Sequence, residues 1–195
     1  MQGRLVAGLL AVLLIASLAG CAQLAVKAAS VGAGVAIDRR TAGAQLEDET
    51  IQLRAASALS EMLGPHASSH ANVNVASYNR KVLLTGEVPD EATRQAVERV
   101  VSQLENVHRV FNELGIMPAT SLPQRALDTY LTGRVKMALI DAQGMTVTAF
   151  RVVTERGTVY LMGRVTPLEA ERATALVRRI GGVKRVVRMF EILQE

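Results

Sequence analysis

The chain repeats itself. Val82-Leu83-Leu84-Thr85-Gly86-Glu87-Val88 is answered 77 residues later by Val159-Tyr160-Leu161-Met162-Gly163-Arg164-Val165. Val107-His108-Arg109-Val110 is answered by Val183-Lys184-Arg185-Val186, now 76 residues on, so one residue has slipped between the two blocks. Two copies are too few for a solenoid, in which each unit leans on its neighbours. The spacing instead predicts two tandem domains of about 70 residues.

Each copy has the same order of elements. A helix comes first, Ile51 to Leu63 and Pro123 or Gln124 to about Ile140. Two strands follow, about Asn72–Tyr78 with Lys81–Val88 and about Met145–Thr154 with Thr158–Val165. They are joined by the short polar turns Asn79-Arg80 and Glu155-Arg156-Gly157, as hairpins require. A second helix spans about Asp90–Leu104 and Pro167–Ile180. In the first copy Ala92, Ala96, Val97, Val100, Val101 and Leu104 recur at the spacing of one buried stripe. A last strand closes each copy, about Val107–Leu114 and Val183–Leu193. The order α-β-β-α-β makes an α+β sandwich, a small sheet with two helices on one face.

Gly86 and Gly163 fall in mid-strand, where glycine normally weakens a strand. Alternation puts them on the face of Val82, Leu84 and Val88 and of Val159, Leu161 and Val165. They are read as structural glycines whose missing side chains let a helix approach the sheet.

The repeat, with "VLLTGEV" and "VYLMGRV" carrying the mid-strand glycine and "GGVKRVV" opening the last strand, resembles the BON domain. The whole chain resembles outer-membrane lipoproteins that carry two such domains. That resemblance implies two α-β-β-α-β sandwiches, each a three-stranded mixed sheet with two helices on one face. It also implies phospholipid binding and a part in envelope integrity.

The first residues agree with an exported lipoprotein. A positively charged start, Met1 to Arg4, precedes an apolar run, Leu5 to Leu18, long enough for a signal-peptide core and short for a membrane span. Leu18-Ala19-Gly20-Cys21 then matches the bacterial lipobox. In such precursors the cysteine sulfur receives a diacylglycerol, the chain is cut before it, and the new amine is acylated. Cys21 is the chain's one cysteine, so no internal disulfide competes for it. No other cofactor is expected. Ala22, rather than aspartate, at the next position leans toward the outer membrane, periplasmic face. The expected organisation is a signal peptide over 1–20, the lipidated cysteine and an Ala/Gly-rich tether over 21–46, a first domain over 47–115, a linker over 116–123 and a second domain over 124–195.

Charge divides the two domains. Residues 47–115 hold 6 Lys/Arg against 10 Asp/Glu, a net of −4, whereas residues 116–195 hold 12 against 7, a net of +5. The halves therefore suit different partners, or one another. For a chain tethered to a membrane the nearest polyanion is the lipid surface, where each Lys or Arg contributes about 1 kcal/mol. Within the basic half, Leu127, Leu131, Val135, Ala138 and Leu139 form the expected core stripe of the first helix. Tyr130, Gly133, Arg134, Lys136 and Met137 lie beside it and are the expected lipid contact, a tyrosine with basic neighbours suiting the bilayer interface. The alternative is that Tyr130 and Met137 pack on the other domain. A second basic cluster, Arg178, Arg179, Lys184, Arg185 and Arg188, is either a solvated edge or extra headgroup contact.

No catalytic set stands out. His66 and His70 follow a Gly-Pro that argues against the helix needed to make them paired ligands, so no metal is expected. There is no Gly-x-Ser-x-Gly elbow. Glu47-Asp48-Glu49 reads as a charged helix start favoured by the helix dipole. Nucleic acid is a poor partner in that compartment, without aromatic stacking platforms. The leading expectation is a non-enzymatic binder of anionic phospholipid, phosphatidylglycerol or cardiolipin. The alternative is a periplasmic scaffold whose acidic first domain recruits an envelope assembly or protease partner.

Overall fold

The computed structural model describes residues 38–64 and 71–194. Cys21, the expected signal peptide, and His66 and His70 lie outside them. Helix α1 spans Ala42–Leu63, with Thr41 as its cap. Strands β1 (Asn72–Tyr78) and β2 (Lys81–Val88) form an antiparallel hairpin. Helix α2 (Glu91–Ser102) leads to β3 (Arg109–Asn112) and to a short continuation, β4 (Gly115–Ile116), both parallel to β2. The second copy repeats this with α3 (Leu122–Asp141), β5 (Phe150–Glu155), β6 (Thr158–Val165), α4 (Pro167–Arg178) and β7 (Arg185–Ile192). Strand β6 pairs antiparallel with β5 and parallel with β7. Each unit is the expected α+β sandwich.

The ends differ from expectation where local signals are weak. Helix α1 starts at Ala42, inside the stretch read as tether, because Thr41 accepts the Ala44 N–H and sets a cap. The start of the strand expected from Met145 is instead a 3-10 turn, Val147–Ala149. In the first copy the closing strand breaks at Glu113-Leu114, where the Asn112 side chain takes the Leu114 N–H before pairing resumes at Gly115.

Two cores lie between helices and sheets. One joins Ile51, Ala55 and Leu59 of α1 and Val97 and Val101 of α2 to Val82, Leu84 and Val88. The other joins Val135 and Leu139 of α3 and Ala173 and Val177 of α4 to Val159, Leu161 and Val165. Leu127, expected in this stripe, is instead 60 % exposed; one position on, Asp128 is buried in its place.

A third core joins the two domains. Alternation points Ala76, Tyr78 and Leu83 away from the first helix pair and Tyr160, Met162 and Met189 away from the second, and these six residues pack together. The sheets therefore stack face to face, with helices outermost on both sides. The acidic and basic domains do dock on one another. Buried Glu87 accepts from Arg156 Nε (2.6 Å), Asn72 Nδ2 (3.1 Å), and the Thr120 amide (3.0 Å) and hydroxyl. Glu191 takes Asn79 (2.8 Å), Lys81 and Arg164 on the other side. The Arg39 guanidinium, just before α1, clips to Glu169 at the start of α4 (2.6 and 2.8 Å).

Three of these carboxyls lie below the usual carboxylate range. Burial alone would raise Glu87, but hydrogen bonds from Thr120, Arg156 and Asn72 outweigh it. Arg39 lowers Glu169, and at Glu191 burial is outweighed by Asn79 and Lys81. Groups lowered in the fold lend stability above the unfolded value, 4.5, and lose it as pH falls through the folded value. Glu155 runs the other way: burial and the Glu87 charge raise it, so its contribution fades as pH rises through its folded value. The expected result is a Tm that drops between about pH 5 and pH 3, with a shallower drop in Glu87→Gln, read by circular-dichroism melts across that range.

Candidate membrane-facing site

Helix α3 buries only one stripe, Asp128, Leu131, Val135 and Leu139. Its outward face keeps Leu122 (78 % exposed), Leu127, Tyr130 (65 %), Met137 (58 %) and Ile140 in solvent. At 100° per residue, Leu122, Ala126, Tyr130, Gly133, Met137 and Ile140 form one stripe along the helix. Tyr130 and Met137 are thus not packed on the other domain. Gly133 is exposed, and a side chain there would meet nothing within 4 Å.

Cations border this stripe. The Arg134 guanidinium lies 5.9 Å from the Tyr130 ring centroid and donates to the Gly181 carbonyl at 3.3 Å. That bond ties the helix to the turn between α4 and β7, which carries Arg179 and Lys184 and follows Arg178 at the end of α4. Among the described residues, Arg134, Lys136, Arg172, Arg178, Arg179 and Lys184 have no carboxylate within 4.0 Å. By contrast Arg185 pairs with Glu113 and Arg188 with Glu171. The second basic cluster is therefore split, two members neutralised and three left free. The five expected contact residues share one surface, although Lys136 sits at its margin beside Thr129 rather than next to Arg134.

What holds α3 at this angle was not read from the sequence. The buried Asp128 carboxylate accepts the N–H groups of Arg156 and Gly157, at 2.8 and 2.9 Å. Its counterpart Asp48 accepts those of Asn79 and Arg80, at 2.7 and 2.8 Å, with the Ser77 hydroxyl and Arg40 completing its shell. In each hairpin the two turn residues have positive φ, 50° and 63° in the first and 50° and 77° in the second. Such a turn aims both amides outward, and a helix carboxylate satisfies them. Asp48 is therefore no helix-start charge, since α1 begins six residues earlier. Ile51, Ala55 and Leu59 match Leu131, Val135 and Leu139 at a spacing of 80, as do the two aspartates. That spacing was the signal available.

The two mid-strand glycines face backbone rather than helix. A Cβ on Gly86 would stand 1.9 Å from the Asn72 carbonyl oxygen, and one on Gly163 would stand 2.4 Å from that of Ala149. Each lets the neighbouring strand's entry cross over the sheet.

Among the described residues no group of three or more His, Cys, Asp or Glu could hold a metal, and no helix is long and apolar enough to cross a membrane. Residues 47–118 and 127–194 each match the BON domain. The chain belongs to the BON-domain family. It is 34 % identical to the outer membrane lipoprotein DolP of Haemophilus influenzae over 90 % of both chains. It is 30 % identical to a 21 kDa hemolysin of Actinobacillus pleuropneumoniae over 81 % of this chain and 80 % of that one. Among solved structures, the C-terminal domain of CdsD, a type III secretion protein of Chlamydia trachomatis, aligns with 71 % of this BON-family chain and 96 % of its own. At 11 % identity and a TM-score of 0.31 that likeness is too low to bear on fold or function.

Proposed function

We propose that this BON-family chain is an outer-membrane lipoprotein on the periplasmic face, acylated at Cys21, whose second domain binds anionic phospholipid and supports envelope integrity without catalysis. The similarity to DolP supports the location and the anchor. The observation that carries lipid binding is the outward face of α3, an apolar stripe through Tyr130 and Met137 bordered by cations that no carboxylate among the described residues neutralises. Apolar side chains at a bilayer interface gain from burial, and cations beside them gain from anionic headgroups. Among the described residues the first domain shows no such combination: α1 exposes Leu46 and Leu53, but Arg54 on the same helix pairs with Glu105.

Vesicle sedimentation tests the reading on the unacylated chain from residue 21, carrying Cys21→Ser. Binding to phosphatidylglycerol or cardiolipin vesicles is expected, with little to neutral vesicles and a loss at high salt. Tyr130→Ala with Met137→Ala should weaken it about tenfold or more. Equal binding to neutral and anionic vesicles would overturn the proposal. A second reading, a scaffold recruiting an envelope protein, is favoured by the open groove of about 760 Å³ between α1 and β1, lined by Leu53, Leu59, Leu63, Val73 and Val75 beside Glu49.

A further inference from the structure

A notch of about 310 Å³ opens between the end of α3 and the outer face of α4. Ala142, Met145, Ala175 and Leu176 give it a mostly apolar floor, Gln143 adds one polar side chain, and Arg172 and Arg179 stand on its rim. Both arginines are exposed, and among the described residues neither guanidinium has a carboxylate or hydrogen-bond partner. Across the notch, a Cβ on Gly144 would lie 3.9 Å from the Arg172 guanidinium. Glu171, the acidic neighbour on α4, is engaged with Arg188 at 2.7 Å. Two free cations thus flank a largely apolar hollow that opens just beyond the end of α3.

We infer that this notch is a seat for a single phospholipid molecule, its anionic phosphate held by Arg172 and Arg179 and its first acyl carbons on the apolar floor. The inference rests on the phospholipid reading and adds a defined site to a general surface. Charge complementarity selects an anion, because each rim guanidinium offers donors in the fork that suits phosphate. The floor selects a lipid over a free phosphate, because Met145 and Leu176 would gain nothing from an inorganic ion. The two arginines are seven residues apart, about 10 Å along the helix axis, so they approach the headgroup from opposite ends of the notch. Aligning the helix caps Asp90 and Thr166 matches Arg172 with Ala96 of α2 and Arg179 with Gln103, the residue that caps its end. The rim therefore belongs to the second domain alone.

The test uses dihexanoyl phosphatidylglycerol as a soluble monomer, titrated into the ¹⁵N-labelled Cys21→Ser chain and followed by amide shifts. Saturable shifts at Met145, Ala175 and Leu176 are expected. Arg172→Gln with Arg179→Gln should weaken that binding about twenty-five-fold, each cation contributing a factor of about five, while amide spectra elsewhere stay unchanged. The same variant should retain part of its affinity for phosphatidylglycerol vesicles through Tyr130 and Met137. Wild-type monomer binding in the double variant would overturn the notch while leaving the α3 surface standing. Equal binding of sn-glycerol 3-phosphate would also overturn it, by showing that the floor plays no part. If the wild-type chain ignores anionic vesicles altogether, the lipid function itself fails, and the notch with it.

Discussion

Replacing Asp48 by alanine should cost about 3–5 kcal/mol, a large fraction of a total stability of order 5–15 kcal/mol. Asp48 is 1 % exposed. Its two oxygens accept from the Ser77 hydroxyl (2.6 Å), the Asn79 and Arg80 amides (2.7 and 2.8 Å) and the Arg40 guanidinium (2.7 Å). Alanine leaves two turn amides and a buried hydroxyl without an acceptor, and each orphaned group costs about 1–3 kcal/mol. Part of that cost is recovered where water reaches the half-buried turn. Asparagine should restore little, because its amide donors would face donors. The matching change at Asp128 should cost less, since that carboxylate serves two turn amides and a long bond from Gln124 (3.4 Å). Urea unfolding of the three variants checks the order; a loss under about 1 kcal/mol for Asp48→Ala would show that the turn keeps its shape without the carboxylate.

The second large effect is expected at Gly86. Its φ is 110°, a conformation that side chains rarely adopt, and its Cβ position lies 1.9 Å from the Asn72 carbonyl oxygen and 2.9 Å from the carbonyl carbon. Backbone, not a flexible side chain, blocks the space, so Gly86→Ala must move the start of β1. Moving it breaks the Asn72–Glu87 contact at the domain joint. A loss of about 3 kcal/mol or more follows from positive-φ strain and the displaced strand together. Gly163 has the clash, 2.4 Å from Ala149, without the positive φ. Gly163→Ala should therefore be the milder change by about 1–2 kcal/mol. Equal thermal shifts for the two variants would mean that backbone conformation contributes nothing at Gly86.

Much of the fold was legible because the repeat is carried by strands, whose period of two survives in the residues themselves. Val82-Leu83-Leu84 and Tyr160-Leu161-Met162 also held a signal that alternation alone misses: continuous apolar runs mark strands covered on both faces. That is the face-to-face stack, with Leu83 and Met162 in the joint. The aspartate latches were hidden by unequal loops, which shift the helices to a spacing of 80 while the strands keep 77. The start of α1 was hidden by composition, since Ala42 to Gln45 carry no apolar stripe and look like linker. The exposed stripe on α3 was half legible. Tyr130 and Met137 stood out, but Leu127 was assigned to the core because apolar spacing cannot foresee that Asp128 is needed there to hold a turn.

The proposed contact of the second domain with the membrane can be measured residue by residue. Phosphatidylglycerol vesicles carrying a spin-labelled acyl chain would be added to the ¹⁵N-labelled Cys21→Ser chain, and the broadening of each amide recorded. The strongest broadening should fall along Ala126, Tyr130, Gly133, Met137 and Ile140, with weaker effects at Arg178, Arg179 and Lys184 and almost none on α1 or α2. Broadening centred on α1, or spread evenly over both domains, would contradict membrane binding through the outward face of α3.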